Sequence, residues 1–285
     1  MKLKFLFLLS IICLSSCSFN KTKTTESSNK EDPKWYGVFL GAKDNDIDRI
    51  AQYKKVMIDM DEFSDNSIYY LKDKGCEIYA YLSVGSLEKY RSYYNEYKSY
   101  TFMDYENWPD ERWIDVSKKS WQNLLKQEAQ RFKKKGASGL FMDNFDVYYI
   151  AKEEYDCSEA FQEGIYTGCF DILSMLSTLD LNLVINSGTD FLERLNDELP
   201  STLAKIECYT QECVYSSIED YEGDVFSKQD KETQDYYKNI ISFMKYSADI
   251  LLLEYTVDES LIKQIKEYCD SNNFYYYISN TVDLK

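Results

Sequence analysis

Histidine is absent from all 285 residues. That absence excludes a Ser-His-Asp triad, a Cys-His pair, a His-rich zinc site and histidine acid/base catalysis. Proton transfer must fall to carboxylates, Tyr, Lys or Cys. No GxGxxG turn follows the first apolar strand and no other Gly-rich phosphate loop is present, which argues against dinucleotide or phosphate chemistry. There is no CxxC spacing, no EF-hand loop and, past the N-terminus, no apolar run of membrane length. Positive charge is scarce, with 33 Lys and Arg against 49 Asp and Glu and a net charge of −16. Such a surplus of acid opposes binding to nucleic acid; it suits a neutral or cationic partner, or serves solubility alone.

What is present begins with an address. Lys2 and Lys4 precede an apolar run from Phe5 to Cys13, followed by Leu14-Ser15-Ser16-Cys17. The run is too short to span a bilayer and reads as a signal peptide. LSSC is similar to a bacterial lipobox, which makes residues 1–16 a lipoprotein signal and Cys17 the lipidated first residue of the mature chain; the alternative is cleavage near Ser16 with an incidental Cys. Removing residues 1–16 brings the net charge from −16 to −18. Residues 18–34 are polar without a hydrophobic period, a tether that would hold the domain roughly 20–25 Å from the membrane. The expected location is therefore the bacterial cell envelope, outside the cytoplasm. Outside the cytosol disulfides are permitted, and Cys157/Cys169 and Cys208/Cys213 are close enough in sequence to pair. Cys76 and Cys269 read as buried free thiols.

From Trp35 onward, short β-rich runs alternate with amphipathic helical stretches. Strands are expected at 35–40, 55–60, 77–84, 139–143, 181–186, 203–208, 249–254 and 273–279, with helices near 44–53, 64–74, 117–135, 157–179, 188–198, 230–246 and 258–271. Eight such repeats predict a single (β/α)8 TIM barrel over residues 35–285, with a doubly wound open sheet as the competing arrangement. Two long connections interrupt the rhythm. Residues 85–116 carry Tyr90, Arg91, Tyr93, Tyr94, Trp108 and Trp113, and residues 209–229 carry Tyr209, Tyr215 and Tyr221. Long βα loops are usual substrate walls, and Tyr and Trp suit sugar rings; the alternative is an insertion with a small core of its own. The total of 27 Tyr is discounted, because Lys, Asn and Ile look enriched beside it.

The segment GASGLFMDNFDVYY, residues 136–149, delivers Asp143 to the C-terminal end of an apolar strand, with Asn144 and Asp146 beside it. In an α/β barrel that end is where chemistry occurs. Asp59, Asp61, Glu207 and Glu254 are placed at strand ends by the same count, although capping or ion pairing would explain any one of them alone. Glycoside hydrolysis needs only two carboxylates flanking one bond, with no histidine and no cofactor. Oxygen-only binding of Mg²⁺ or Ca²⁺ by the same acids is the main competitor; no metal site and no cofactor is assigned.

YLSVGSLEKYRSYY (81–94), WPDERWIDV (108–116) and GASGLFMDNFDVYY, with the opening YGVFLGAKDNDIDRIAQYKKVMIDMDEF (36–63), resemble the signature segments of glycoside hydrolase family 114, the endo-α-1,4-polygalactosaminidases and relatives. The resemblance implies Asp143 as nucleophile and a strand-six glutamate, counted as Glu207, as acid/base, with Glu254 as its substitute. It further implies that Asp59, Tyr81, Ser83, Gly85, Arg91, Asn144 and Asp146, with Glu254, line the sugar site. Gly85 would let the chain turn sharply at the rim. The implied enzyme is a retaining hydrolase of a galactosamine-rich polysaccharide, held to the membrane by its anchor, monomeric and without a nucleic-acid partner. A carbohydrate-binding lipoprotein that has lost activity is the alternative.

Overall fold

In the computed structural model, which describes residues 34–285, the β-rich runs become eight parallel strands. They are β1 (Tyr36–Phe39), β2 (Lys55–Ile58), β3 (Glu77–Ser83), β4 (Gly139–Asp143), β5 (Asn182–Asn186), β6 (Cys208–Glu212), β7 (Asp249–Tyr255) and β8 (Tyr275–Ser279). Each pairs with the next in chain order. No ladder joins β8 to β1 among the described residues, but the two edges meet, with the Tyr36 and Tyr275 rings 4.8 Å apart. The result is the expected (β/α)8 barrel, nearly closed, and not an open doubly wound sheet. The signal peptide, Cys17 and nearly all of the tether lie outside the described residues.

The helices start where side chains satisfy their first N–H groups. Ser64, Ser158, Asp230 and Asp258 cap the helices Asp65–Asp73, Glu159–Leu176, Lys231–Met244 and Glu259–Asn272. The helix Lys119–Lys135 ends at Gly136 with φ +121°, a conformation that glycine adopts without strain. Trp121 on that helix is buried, and its indole N–H donates to the Val84 carbonyl at 2.9 Å, tying the helix to the end of β3.

Period-two alternation divides the strands between two cores. Leu140, Met142, Leu183, Ile185, Tyr209, Ile250 and Leu252 face the helices. Tyr36, Val38, Met57, Tyr79, Tyr81, Phe141, Val184, Cys208, Leu251, Leu253 and Tyr255 fill the barrel interior. Continuing that alternation to the strand ends directs Asp143, Asn186, Glu212 and Tyr255 inward and Glu254 outward.

The long connections are small sheets. Within 85–116, Ser86–Glu88, Glu111–Ile114 and Thr101–Asp104 form a three-stranded antiparallel sheet. After β6, Ser216–Asp220 and Val225–Lys228 form a hairpin.

One strand differs from its expected position. Residues 203–208 were expected as strand six, yet Pro200–Lys205 is a 3₁₀ helix and β6 begins at Cys208. Leu203 and Ile206 are buried apolar residues outside the sheet, while β6 itself, CYTQE, reads as polar. The shift moves Glu207 to the start of the strand. There it accepts hydrogen bonds from the Lys55 ammonium and, at 2.8 Å, from the Tyr79 hydroxyl, at the N-terminal end of the barrel. All six cysteines of the described residues are free. Cys208 lies at the start of β6 and Cys213 just past its end, too far apart along an extended strand to bond.

Candidate active site

Three adjacent strands end in Asp143, Asn186 and Glu212. The Asn186 side-chain amide donates to Asp143 Oδ1 at 3.0 Å and to Glu212 Oε1 at 2.5 Å, so those two oxygens are at most 5.5 Å apart. Asp143 Oδ1 also accepts from the Asn144 backbone N–H at 2.9 Å. Glu212 Oε2 accepts from the Tyr255 hydroxyl at 2.8 Å. Burial pushes the Asp143 carboxyl well above the usual carboxylate range, and the Glu212 charge beside it pushes it further. Burial likewise raises Glu212, against the opposing pull of its bonds from Asn186 and Tyr255.

The turn after β4 is built tightly. Asn144 has φ +67°, a left-handed conformation that Asn tolerates. Its amide donates to Ser83 Oγ at 3.0 Å and Ser86 Oγ at 3.1 Å, and its oxygen accepts from the Tyr105 hydroxyl at 3.1 Å. A Cβ on Gly85 would fall 2.0 Å from the Asn144 carbonyl oxygen, so glycine is needed there for close approach rather than for the turn expected of it. Asp146 accepts from the Gly188 N–H with both oxygens, at 3.2 and 3.1 Å, and burial raises it to about 7.

These groups lie in a cleft of about 710 Å³ at the C-terminal end of the barrel. Its walls carry Tyr90, Tyr105, Trp108 and Tyr221 from the two inserted sheets, and the Trp108 and Tyr221 rings meet edge to face at 5.9 Å. Two more acids face it. Glu88 and Glu111 sit opposite one another on the first inserted sheet, and Glu111 is raised to about 7 by burial and by the Glu88 charge. A barrel mouth with two inward carboxylates held by one amide can protonate a leaving group on one side of a glycosidic bond and attack from the other. The model for glycoside-hydrolase family GH114 matches residues 17–282.

The chain belongs to glycoside hydrolase family GH114. It is a glycoside hydrolase. Solved structures share the fold. The glycoside hydrolase domain of PelA from Pseudomonas aeruginosa matches with a TM-score of 0.73 and 20% identity, over 89% of this chain and 96% of that one. Ega3 from Aspergillus fumigatus, solved in complex with galactosamine, matches with a TM-score of 0.66 and 17% identity, over 89% and 93%. The α-galactosidase TtGalA from Thermus thermophilus matches with a TM-score of 0.56 and 10% identity, over 88% and 58%. No curated protein matches the chain.

Of the residues singled out from sequence, Asp59, Tyr81, Asp143, Asn144 and Asp146 line the cleft of this GH114 hydrolase. Glu207 does not, and Glu212, five residues on at the C-terminal end of β6, does. Glu254 is also displaced. It faces out of the barrel, where it accepts from the Tyr215 N–H at 3.0 Å and from Ser216 N–H at 2.9 Å and Oγ at 2.6 Å, and so anchors the hairpin that follows β6. Ser83 acts through Asn144 and Ser86. Arg91 is buried behind the wall, paired with Asp59 at 2.9 Å, Glu88 at 2.5 Å and Asp61 at 3.2 Å. Of the expected aromatic wall, Tyr93, Tyr94 and Trp113 pack into the core instead, which is the insertion-core reading for that part of the loop. Asn186, Glu212, Tyr255, Glu88 and Glu111 were missed. Alternation through LNLVIN would have flagged Asn186, whereas Glu212 is hidden in a polar run with no strand signal.

The raised Asp143 carboxyl has a consequence for stability. Glu212 is raised beside it, so between the usual carboxylate range and their higher folded values the folded pair holds a proton that the unfolded state has lost, and stability falls as pH rises through that window. Asp143→Asn takes one of the two carboxyls, and its like charge, out of the pair. Its Tm relative to the unsubstituted protein is expected to be higher at pH 8 than at pH 4.5, and calorimetry at both values checks this; a pH-independent difference would refute it.

Proposed function

We propose that this protein is an endo-acting hydrolase of an α-1,4-linked, galactosamine-rich polysaccharide, working by a retaining double displacement at Asp143 and Glu212. The observation that carries the mechanism is the shared amide donor. It limits the facing oxygens to 5.5 Å, and retaining pairs stand about 5–5.5 Å apart, whereas inverting pairs leave about 6.5–9.5 Å for a water.

Asp143 Oδ2, which has no hydrogen-bond partner among the described residues, attacks the anomeric carbon as the C1–O bond to the leaving sugar breaks. Glu212 gives its proton to the departing oxygen. A glycosyl ester on Asp143 results. Glu212, now a carboxylate, takes a proton from water as that water attacks C1, and the ester bond breaks to return Asp143. Two carboxyls this close resist carrying two charges, so the pair begins with one proton and one charge. The charge belongs on Asp143, which receives two N–H donors, and the proton on Glu212, whose Oε2 faces a hydroxyl able to accept it.

Support for the substrate comes from the family, from galactosamine bound to Ega3, and from the acids Asp59, Glu88, Glu111 and Asp146 around the cleft, which attract ammonium groups. Support for a site of action outside the cytoplasm, anchored at Cys17, comes from the LSSC segment after the apolar leader. Partly de-N-acetylated polygalactosamine is the test substrate. Proton NMR during turnover is expected to show the α-anomer first, with a rapid fall in polymer length. First appearance of the β-anomer, or release of monosaccharide alone, would overturn the mechanism or the endo mode respectively.

A further inference from the structure

We propose that Asn186 is the positioning residue of the pair: its amide holds Asp143 and Glu212 at working separation and keeps them from sharing one proton. The inference rests on the two-carboxylate reading above and concerns a residue that takes no part in bond making.

Asn186 ends β5, between the strands that carry Asp143 and Glu212. It is 3% exposed, and its own Oδ1 is buried with no hydrogen-bond partner. An unpaired buried acceptor is costly, of the order of 1–3 kcal/mol. The side chain accepts that cost with its N–H groups committed to the two carboxylates. The reverse orientation would set its oxygen against theirs.

This arrangement constrains the proton. Asp143 Oδ1 and Glu212 Oε1 both accept from Nδ2, so neither can carry hydrogen along that bond. Two carboxyls in direct contact would bridge through one proton, as in aspartic-protease dyads, and neither would be a free acid or a free nucleophile. With the amide between them, the proton is confined to Glu212 Oε2 or Asp143 Oδ2. Other charges do not substitute for the amide. Asp146 and Glu111 reach Asp143 only as further negative charge, and Tyr255 serves Glu212 alone.

Asn186→Ala removes the donor, and Asn186→Asp keeps the shape but replaces the donor with an acceptor. On de-N-acetylated polygalactosamine each is expected to lower kcat about 100-fold with KM changed by less than about threefold. The acid limb of the pH profile should move up by about one unit, because the ionised nucleophile has lost a donor. A purely structural role would reduce the folded fraction and leave that limb in place. Carbon-13 NMR titration of the Asp143 and Glu212 carboxyl carbons needs no turnover and should show the same upward shift. Unchanged titration in a folded variant overturns the inference. If the unsubstituted protein fails to cleave the polymer while the titration shifts as expected, the substrate reading fails and the role of Asn186 stands.

Discussion

Glu212→Gln is expected to reduce hydrolysis by about 1,000-fold or more while leaving the fold intact, and Glu207→Gln to do the reverse. Glu212 sits at the cleft, bonded to Asn186 and Tyr255. A glutamine there keeps shape and neutrality but has no proton to give a departing sugar. Glu207 lies at the other end of the same strand, tied to Lys55 and Tyr79. Removing its charge leaves the Lys55 ammonium, in a half-buried site, with Glu77 at 3.7 Å as its one remaining carboxylate among the described residues, beside the Tyr36 and Tyr79 rings. The expected cost is about 1–3 kcal/mol of stability, with kcat retained. Paired measurements of kcat and Tm on the two variants decide the matter. Loss of activity in Glu207→Gln at full folding, or its survival in Glu212→Gln, would return the acid/base role to the other residue.

Arg91→Met is expected to cost about 3–5 kcal/mol, among the largest stability losses available to a single substitution in this barrel. The guanidinium lies between Asp59 and Glu88, both almost fully buried. Asp61 has a second cation, with Arg131 at 2.6 Å, but among the described residues Asp59 and Glu88 pair with no other. Without Arg91 two buried carboxylates face the cleft uncompensated, next to Glu111. At about 2–4 °C per kcal/mol for a domain of this size, Tm should fall by about 10 °C at pH 7. Acidification should recover part of the loss, because the stranded acids can then take up protons. Calorimetry at pH 7 and pH 5 tests this. A deficit equal at both values would mean that packing of the arginine stem, not its charge, is what holds the wall.

The sequence alone carried the barrel because eight apolar β-rich runs separated by amphipathic helices have one economical closed solution. It also carried Asp143, since an acid directly after GLFM has no packing explanation, and Asn144, whose left-handed turn is a conformation asparagine favours. With no histidine in the chain, carboxylates are the foremost candidates for acid/base work. What it could not carry was the partner acid. Apolar content marks where a strand is buried on both faces, but β6 ends at the cleft, so its mouth-side residues are Thr210, Gln211 and Glu212. The apolar signal instead came from Leu203 and Ile206, which are buried outside the sheet, and drew the strand five residues early. Glu254 was misplaced for the related reason that strand-end position says nothing of which face a side chain takes. A one-residue change in phase exchanges the barrel interior for the helix layer. Register between neighbouring strands is a tertiary property, fixed by pairing of β6 with β5 and β7. That pairing put Asn186 between Asp143 and Glu212, and so decided which two of many acids share one amide donor.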